Sequence, residues 1–139
     1  MSIEAMIAEH PQVKDDYNQA LGRAVKTSMN CAAICNSCAD ACLAEFLGPE
    51  PMDMSQCIRL NLDCADICLA TSRIATRRTG HDVQLIRTML KACIAACQRC
   101  GAECGRHEMA HCQRCALMCN ECVEDCLYAI SSLDPGEAD

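Results

Sequence analysis

Every cysteine of the chain falls on one of four rows whose steps alternate between three and four residues. Cys31, Cys35, Cys38 and Cys42 step by four, three and four, and Cys93, Cys97, Cys100 and Cys104 repeat that pattern. Cys112, Cys115, Cys119, Cys122 and Cys126 step by three, four, three and four. Cys57, Cys64 and Cys68 follow the same ladder with Asn61 on the missing rung. Steps averaging about 3.5 residues return a side chain to one helical face at every turn, so each row is the seam of an α-helix. Such a seam is usually apolar and faces a core; here it is sulfur. A lone row would be ordinary core, because cysteine is small and readily buried. Four rows that use all 16 cysteines describe a tube lined with thiols.

The segments between the rows set the helix boundaries. Residues 2–9 form a short helix that Pro11 stops, and a long helix is expected from about Gln12 to Phe46. Gly48, Pro49 and Pro51 end it, with glycine suited to a left-handed terminal position and proline unable to extend the ladder. Asp53 or Ser55 can cap the next helix, which runs to about Arg78 before Thr79 and Gly80. Asp82 caps a third that runs to about Arg106, and the last ends near Leu133. No segment alternates as a strand does. The expectation is an all-α protein: an antiparallel up-down-up-down four-helix bundle with a short N-terminal helix, one domain over 1–139 with its core at about 12–133.

Antiparallel order puts all four cysteine rows at the same end. An 11-residue row rises roughly 16 Å, which sets the length of the lined volume. At the opposite end the in-phase residues are Leu21, Ala24, Ala75, Val83, Ile86, Leu90, Ala129 and Leu133, an apolar plug. Beyond the sulfur rows, Met54 lies in phase before Cys57, His107 follows Cys104 in phase, and His111 adjoins Cys112. Soft donors thus collect at the open end, and these three are candidate ligands beside the 16 cysteines. Ile34 and Ile94 fall between cysteines, where one bundle offers little to cover them, so a homo-oligomer is expected.

Charge and leader signals narrow the functional classes. The formal charge is −7 with no basic stripe, which argues against a nucleic-acid partner. No apolar run approaches the ~18–20 residues that span a membrane. The opening MSIEAMIAEHPQVKDD lacks a basic flank, an apolar centre and a cleavage site, so a cytosolic location is expected. In that compartment dense cysteine signifies metal rather than a disulfide framework.

Several thiol chemistries fit the spacing but not its context. CxxxCxxC occurs at Cys31-Cys35-Cys38, Cys93-Cys97-Cys100 and Cys115-Cys119-Cys122. Radical enzymes that use S-adenosylmethionine carry that spacing once, on a loop of a larger α/β barrel. The CxxC of a thioredoxin-type site needs a βαβ frame that is missing here. Glu108 and His111 form a single ExxH, whereas di-iron bundles need two and further inward glutamates. A thiol oxidoreductase needs a partly exposed cysteine of low pKa, while these rows predict burial, so no catalysed reaction is expected.

Charge balance then selects the metal. Sixteen ionised thiolates carry sixteen negative charges. Four zinc sites, or four iron–sulfur clusters, would leave about eight of them uncompensated in a low-dielectric core, at several kcal/mol each. Cu(I) supplies one positive charge per thiolate, accepts two or three sulfurs, and allows thiolates to bridge. Multiple Cu(I) ions per chain are therefore the expected cargo. A general zinc or cadmium buffer of the metallothionein type is the alternative, but it predicts a chain disordered without metal, which the apolar plug contradicts.

The CxxxCxxCxxxC rows resemble those of the copper storage proteins, in particular their cytosolic bacterial branch. The likeness spans about residues 12–133. It implies a cysteine-lined four-helix bundle that stores or sequesters many Cu(I) ions, assembles as a tetramer, and exchanges copper with donors and acceptors. It also implies histidines and methionines at the mouth, which His107, His111 and Met54 would represent.

Overall fold

A computed structural model describes residues 2–133. Among them lie five helices: α1 (Ile3–Ala8), α2 (Gln19–Leu47), α3 (Ser55–Thr76), α4 (Val83–Gly105) and α5 (Ala110–Ser132). The four long helices follow one another through short links. Each packs on two neighbours, α2 on α3 and α5, and α4 on α3 and α5, so they close a square around one axis. Every regular element among the described residues is a helix, and α1 lies against α2 outside that square.

Local chemistry sets each boundary, and in three places it differs from the sequence expectation. The first long helix begins at Gln19, not near Gln12, because residues 10–16 take tight turns closed by Val13 N–His10 O (2.9 Å) and Asp16 N–Val13 O (2.7 Å). Asn18 then caps α2 by accepting from the Leu21 N–H at 2.9 Å. These turns swing Val13 inward to bury it over the closed end, a gain that a straight helix would forgo. Gly48 is not left-handed but extended, at φ −76° and ψ −178°. It precedes Pro49, whose ring disfavours the helical region for the residue before it. The third difference is at the end of α3, which stops at Thr76 rather than Arg78. The left-handed residue of that connection is Gly80, at φ 54°, where a side chain would be strained.

The two candidate caps of α3 divide the work. Met54 occupies the cap position without a side-chain bond, while Asp53 Oδ1 accepts from both the backbone N–H (3.1 Å) and the hydroxyl (2.7 Å) of Ser55. Asp82 caps α4 as expected, accepting from Leu85 N at 3.1 Å.

The core is built in two halves along the bundle axis. The closed end is aliphatic: Leu21, Ala24, Ala75, Ile86, Leu90, Ala129 and Leu133 are buried, and Val83 packs against them half-buried. The chain before α2 covers this end, with Ile7 buried, His10 Nε2 3.1 Å from Thr79 Oγ1, and Gln12 Oε1 accepting from Gly80 N. The other half is sulfur. Leu90 is fully enclosed where the two halves meet. Its replacement by alanine is expected to cost about 2–5 kcal/mol of folding stability by opening a cavity. Chemical denaturation of the copper-free protein measures that loss, and the plug assignment requires it to occur with the helical circular dichroism signal retained.

Candidate metal site

The helical seams bring all 16 cysteines inside, and each is a free thiol. Cysteines from different helices meet as layers. Nearest the plug, Cys68 Sγ lies 3.6 Å from Cys93 and from Cys97, and Cys93 lies 3.7 Å from Cys122. Cys126 is buried at the same end of its row. In the middle, Cys31 and Cys64 approach Cys97 at 3.9 and 3.7 Å, and Cys35 approaches Cys115 and Cys119 at 3.7 and 3.8 Å. Toward the mouth, Cys42 lies 3.4 Å from Cys57 and 3.9 Å from Cys112, and Cys57 lies 3.8 Å from Cys104. Gly101 lets α4 and α5 come this close, since a Cβ there would sit 3.3 Å from the Cys119 Cβ.

The sulfurs form overlapping sets rather than separate ones. Cys31, Cys68, Cys97 and Cys122 have sulfurs within 4.8 Å of one another, as do Cys31, Cys64, Cys97 and Cys119, and again Cys35, Cys64, Cys100 and Cys119. The first two sets share Cys31 and Cys97; the second and third share Cys64 and Cys119. Cys38, Cys104 and Cys115 make a further group of three. Shared ligands of this kind suit ions that take few sulfurs each and let thiolates bridge.

Asn61 fills the missing rung and joins the lining. It is fully buried and hydrogen-bonded on both sides. Its Nδ2 donates to the Cys57 carbonyl at 2.8 Å and to the sulfurs of Cys57 and Cys104 at 3.4 Å. Its Oδ1 accepts from Cys100 at 3.3 Å and from Cys115 at 3.0 Å. The phase of position 61 was visible in the sequence, but its four sulfur partners come from three different helices.

At the mouth the structure separates the three non-cysteine candidates. His111 Nδ1 lies 3.5 Å from the sulfurs of both Cys38 and Cys112, and His111 groups with Cys38, Cys42 and Cys112 within 4.8 Å. Its Nε2 is turned toward Glu45 Oε1, 4.0 Å away. His107 instead has its Nε2 2.8 Å from Glu103 Oε2, one helical turn back. Met54 is buried at the start of α3, one turn before Cys57. Neither glutamate figured among the sequence candidates; the i, i+4 spacing of Glu103 and His107 was the available signal, while Glu45 and His111 meet only through the fold.

Enclosure favours the neutral thiol. Burial, and then repulsion from Cys42, pushes Cys112 up to about 12 from an ordinary 9.0. Deeper in, hydrogen bonds to Cys100 and Cys115 together with burial raise Cys35, and hydrogen bonds to Cys122 and Cys31 together with burial raise Cys68. Hydrogen bonds from neighbouring thiols act the other way at Cys31, Cys64, Cys93, Cys104 and Cys115, so protons are shared along the rows, and a bound cation must displace those that remain.

The comparisons with known proteins agree with this chemistry. The sequence pattern described as copper storage protein matches residues 17–131. The chain belongs to the copper storage protein family. A cysteine-rich protein of Bacillus subtilis (strain 168), YhjQ, is 34% identical over 112 residues, covering 81% of this chain and 94% of that protein. The copper storage protein Ccsp of Streptomyces lividans, loaded with 10 copper equivalents, is 35% identical and superposes with a TM-score of 0.86 over 95% of this chain and all of that one. A structure from copper loading of the same cytosolic protein, with five coppers, is 39% identical with a TM-score of 0.77, over 84% of this chain and 96% of that one.

The raised thiol at Cys112 has a pH signature. Below 9.0 both folded and unfolded chains keep this proton, and its contribution to stability is complete. As pH climbs from there toward about 12 the unfolded chain ionises first, so the folded state loses ground. Denaturation midpoints of the copper-free protein are expected to fall across that window, and the Cys112→Ser variant should show a shallower fall.

Proposed function

We propose that this protein is a cytosolic Cu(I) store: it sequesters many ions on the thiolates of its core, assembles as a homotetramer, and catalyses no reaction. The observation that carries the reading is the sharing of Cys31, Cys97, Cys64 and Cys119 between neighbouring four-sulfur sets. Separate zinc sites would each need four sulfurs of their own. Cu(I) is satisfied by two or three, and with one charge per thiolate it neutralises the tube as it fills. All 16 cysteines are assigned as ligands on this basis. The copper-loaded state and the cytosolic location of the related Streptomyces protein support the same reading. Copper donors and acceptors in the cell are its implied partners.

Copper enters and leaves at the mouth. His111 is the first landing site, because its Nδ1 already faces Cys38 and Cys112, with Glu45 4.0 Å from its Nε2. His107, tied to Glu103, and the buried Met54 are secondary donors along the same route. Neutral imidazole and thioether hold Cu(I) without adding charge, so the ion passes on to the deeper thiolates. Ile34 and Ile94, expected to lie uncovered, pack half-buried against the core, so the tetramer would instead cover Leu62 and Leu69 on α3 and Leu117 on α5.

Anaerobic titration with Cu(I) against a competing chelator tests the store. Roughly one ion per thiolate is expected, with about one proton released per ion. A capacity near four per chain would replace copper storage with isolated tetrahedral sites. His111→Ala should slow uptake and chelator-driven release several-fold while leaving capacity nearly intact, and His107→Ala should do so less; wild-type rates in both variants would remove the landing-site role. Light scattering at micromolar concentration should give the mass of a tetramer, and a monomer mass would refute the assembly.

A further inference from the structure

The shortest sulfur–sulfur approach described in the protein is Cys42–Cys57, at 3.4 Å; the other thiol pairs lie at 3.6–4.0 Å. Its position matters as much as its length. Cys42 is in the last two turns of α2 and Cys57 in the first turn of α3, and the two helices are joined by the short connection 48–54. The first turn of α3 is held at its start by Asp53 on Ser55 rather than by its cap residue Met54. Helix ends open at the least cost in free energy, so this is where sulfurs can shift. Bonding requires the two atoms to close to about 2.05 Å, a movement of roughly 1.4 Å shared between two helix ends.

The next closest pairs are held differently. Cys68 approaches Cys93 and Cys97 at 3.6 Å, but all three lie in mid-helix beside the aliphatic plug, with structure on both sides. Cys42 is two contacts from solvent: it contacts Cys112 at 3.9 Å, and Cys112 contacts the partly exposed His111 at 3.5 Å. Proximity, a position near two helix ends and a route to the mouth therefore coincide at one pair of thiols.

We propose that Cys42 and Cys57 form a reversible disulfide when the copper-free protein meets hydrogen peroxide, a redox gate at the mouth that rests on the storage reading above. One of the two sulfurs gives up its proton and attacks the O–O bond as thiolate, leaving a sulfenic acid and a hydroxide that takes up that proton as water. The second sulfur, likewise as thiolate, displaces the hydroxyl, which leaves with the second proton as another water, and the S–S bond forms. Two thiols are oxidised by two electrons and one peroxide is reduced to two waters, so the step balances without a metal. The disulfide removes the two central sulfurs from the line of contacts Cys112–Cys42–Cys57–Cys104 toward the opening, and it staples α2 to α3. An empty store under oxidant thereby refuses copper until a thiol reductant reopens it, and a loaded store is protected because both sulfurs are occupied.

The test treats copper-free protein with stoichiometric hydrogen peroxide, blocks the remaining thiols, and maps the linked peptides by mass spectrometry. The expected product is a Cys42–Cys57 crosslink that a thiol reductant reverses and that prior loading with Cu(I) suppresses. In the Cys42→Ser variant the crosslink should vanish and Cys57 should become trappable as a sulfenic acid by a dimedone probe. A dominant bond elsewhere, such as Cys68–Cys93, or no disulfide at all, would overturn the proposal. The mapping is done without copper, so its failure leaves the titration of the store untouched, and a failed titration leaves the crosslink result standing.

Discussion

The structure depends on a thiol being two things. Protonated, a cysteine side chain is a small apolar group that packs at helical spacing as alanine or valine would. Deprotonated, it is a soft, charged ligand that needs a cation beside it in a low-dielectric interior. Sixteen such groups along one axis let the same core serve as packing when empty and as coordination sphere when full. The raised pKa values of Cys35, Cys68 and Cys112 express the first state. The overlapping sulfur sets express the second.

A core with that double role cannot extend through the whole bundle. The aliphatic half around Leu21, Ile86 and Leu90 has no ligand to offer and packs its helices without sulfur. Residues 2–18 reinforce it from outside through Ile7, Val13 and the contacts of His10 and Gln12 with the α3–α4 connection. His111 and the cysteines of the helix ends stand at the opposite end, the one the proposed exchange route uses. The placement of Asn61 fits this polarity. It donates to Cys57 and Cys104 on the mouth side and accepts from Cys100 and Cys115 further in, so one neutral amide satisfies two layers of thiols without adding charge.

Most of the fold was legible because its signal is one-dimensional. A seam of period 3.5 marks the inward face of a helix whatever it packs against, and the order of rows along the chain put the sulfur at one end. Boundaries were less legible where two local rules competed. Gly48 looks like a left-handed helix terminus until the proline after it is weighed, and residues 12–18 look helical until the burial of Val13 is counted. The mouth was least legible. In the sequence His107 is in phase with its row while His111 only adjoins Cys112, yet Glu103 holds the first and the thiols of Cys38 and Cys112 face the second.

The sequence by itself determined that four helices would each carry a sulfur face, that these faces would share one end, and that soft monovalent cations suit them. Periodicity and charge suffice for that, since both are properties of a helix and its residues alone. Only the tertiary structure decided which sulfurs come within bridging distance, that Asn61 links two layers, that Cys42 and Cys57 approach most closely, and which histidine faces the tube. Those facts depend on the rotation and axial offset of each helix against its neighbours. Packing of small side chains such as Gly101 against Cys119 sets both, and no single helix encodes either.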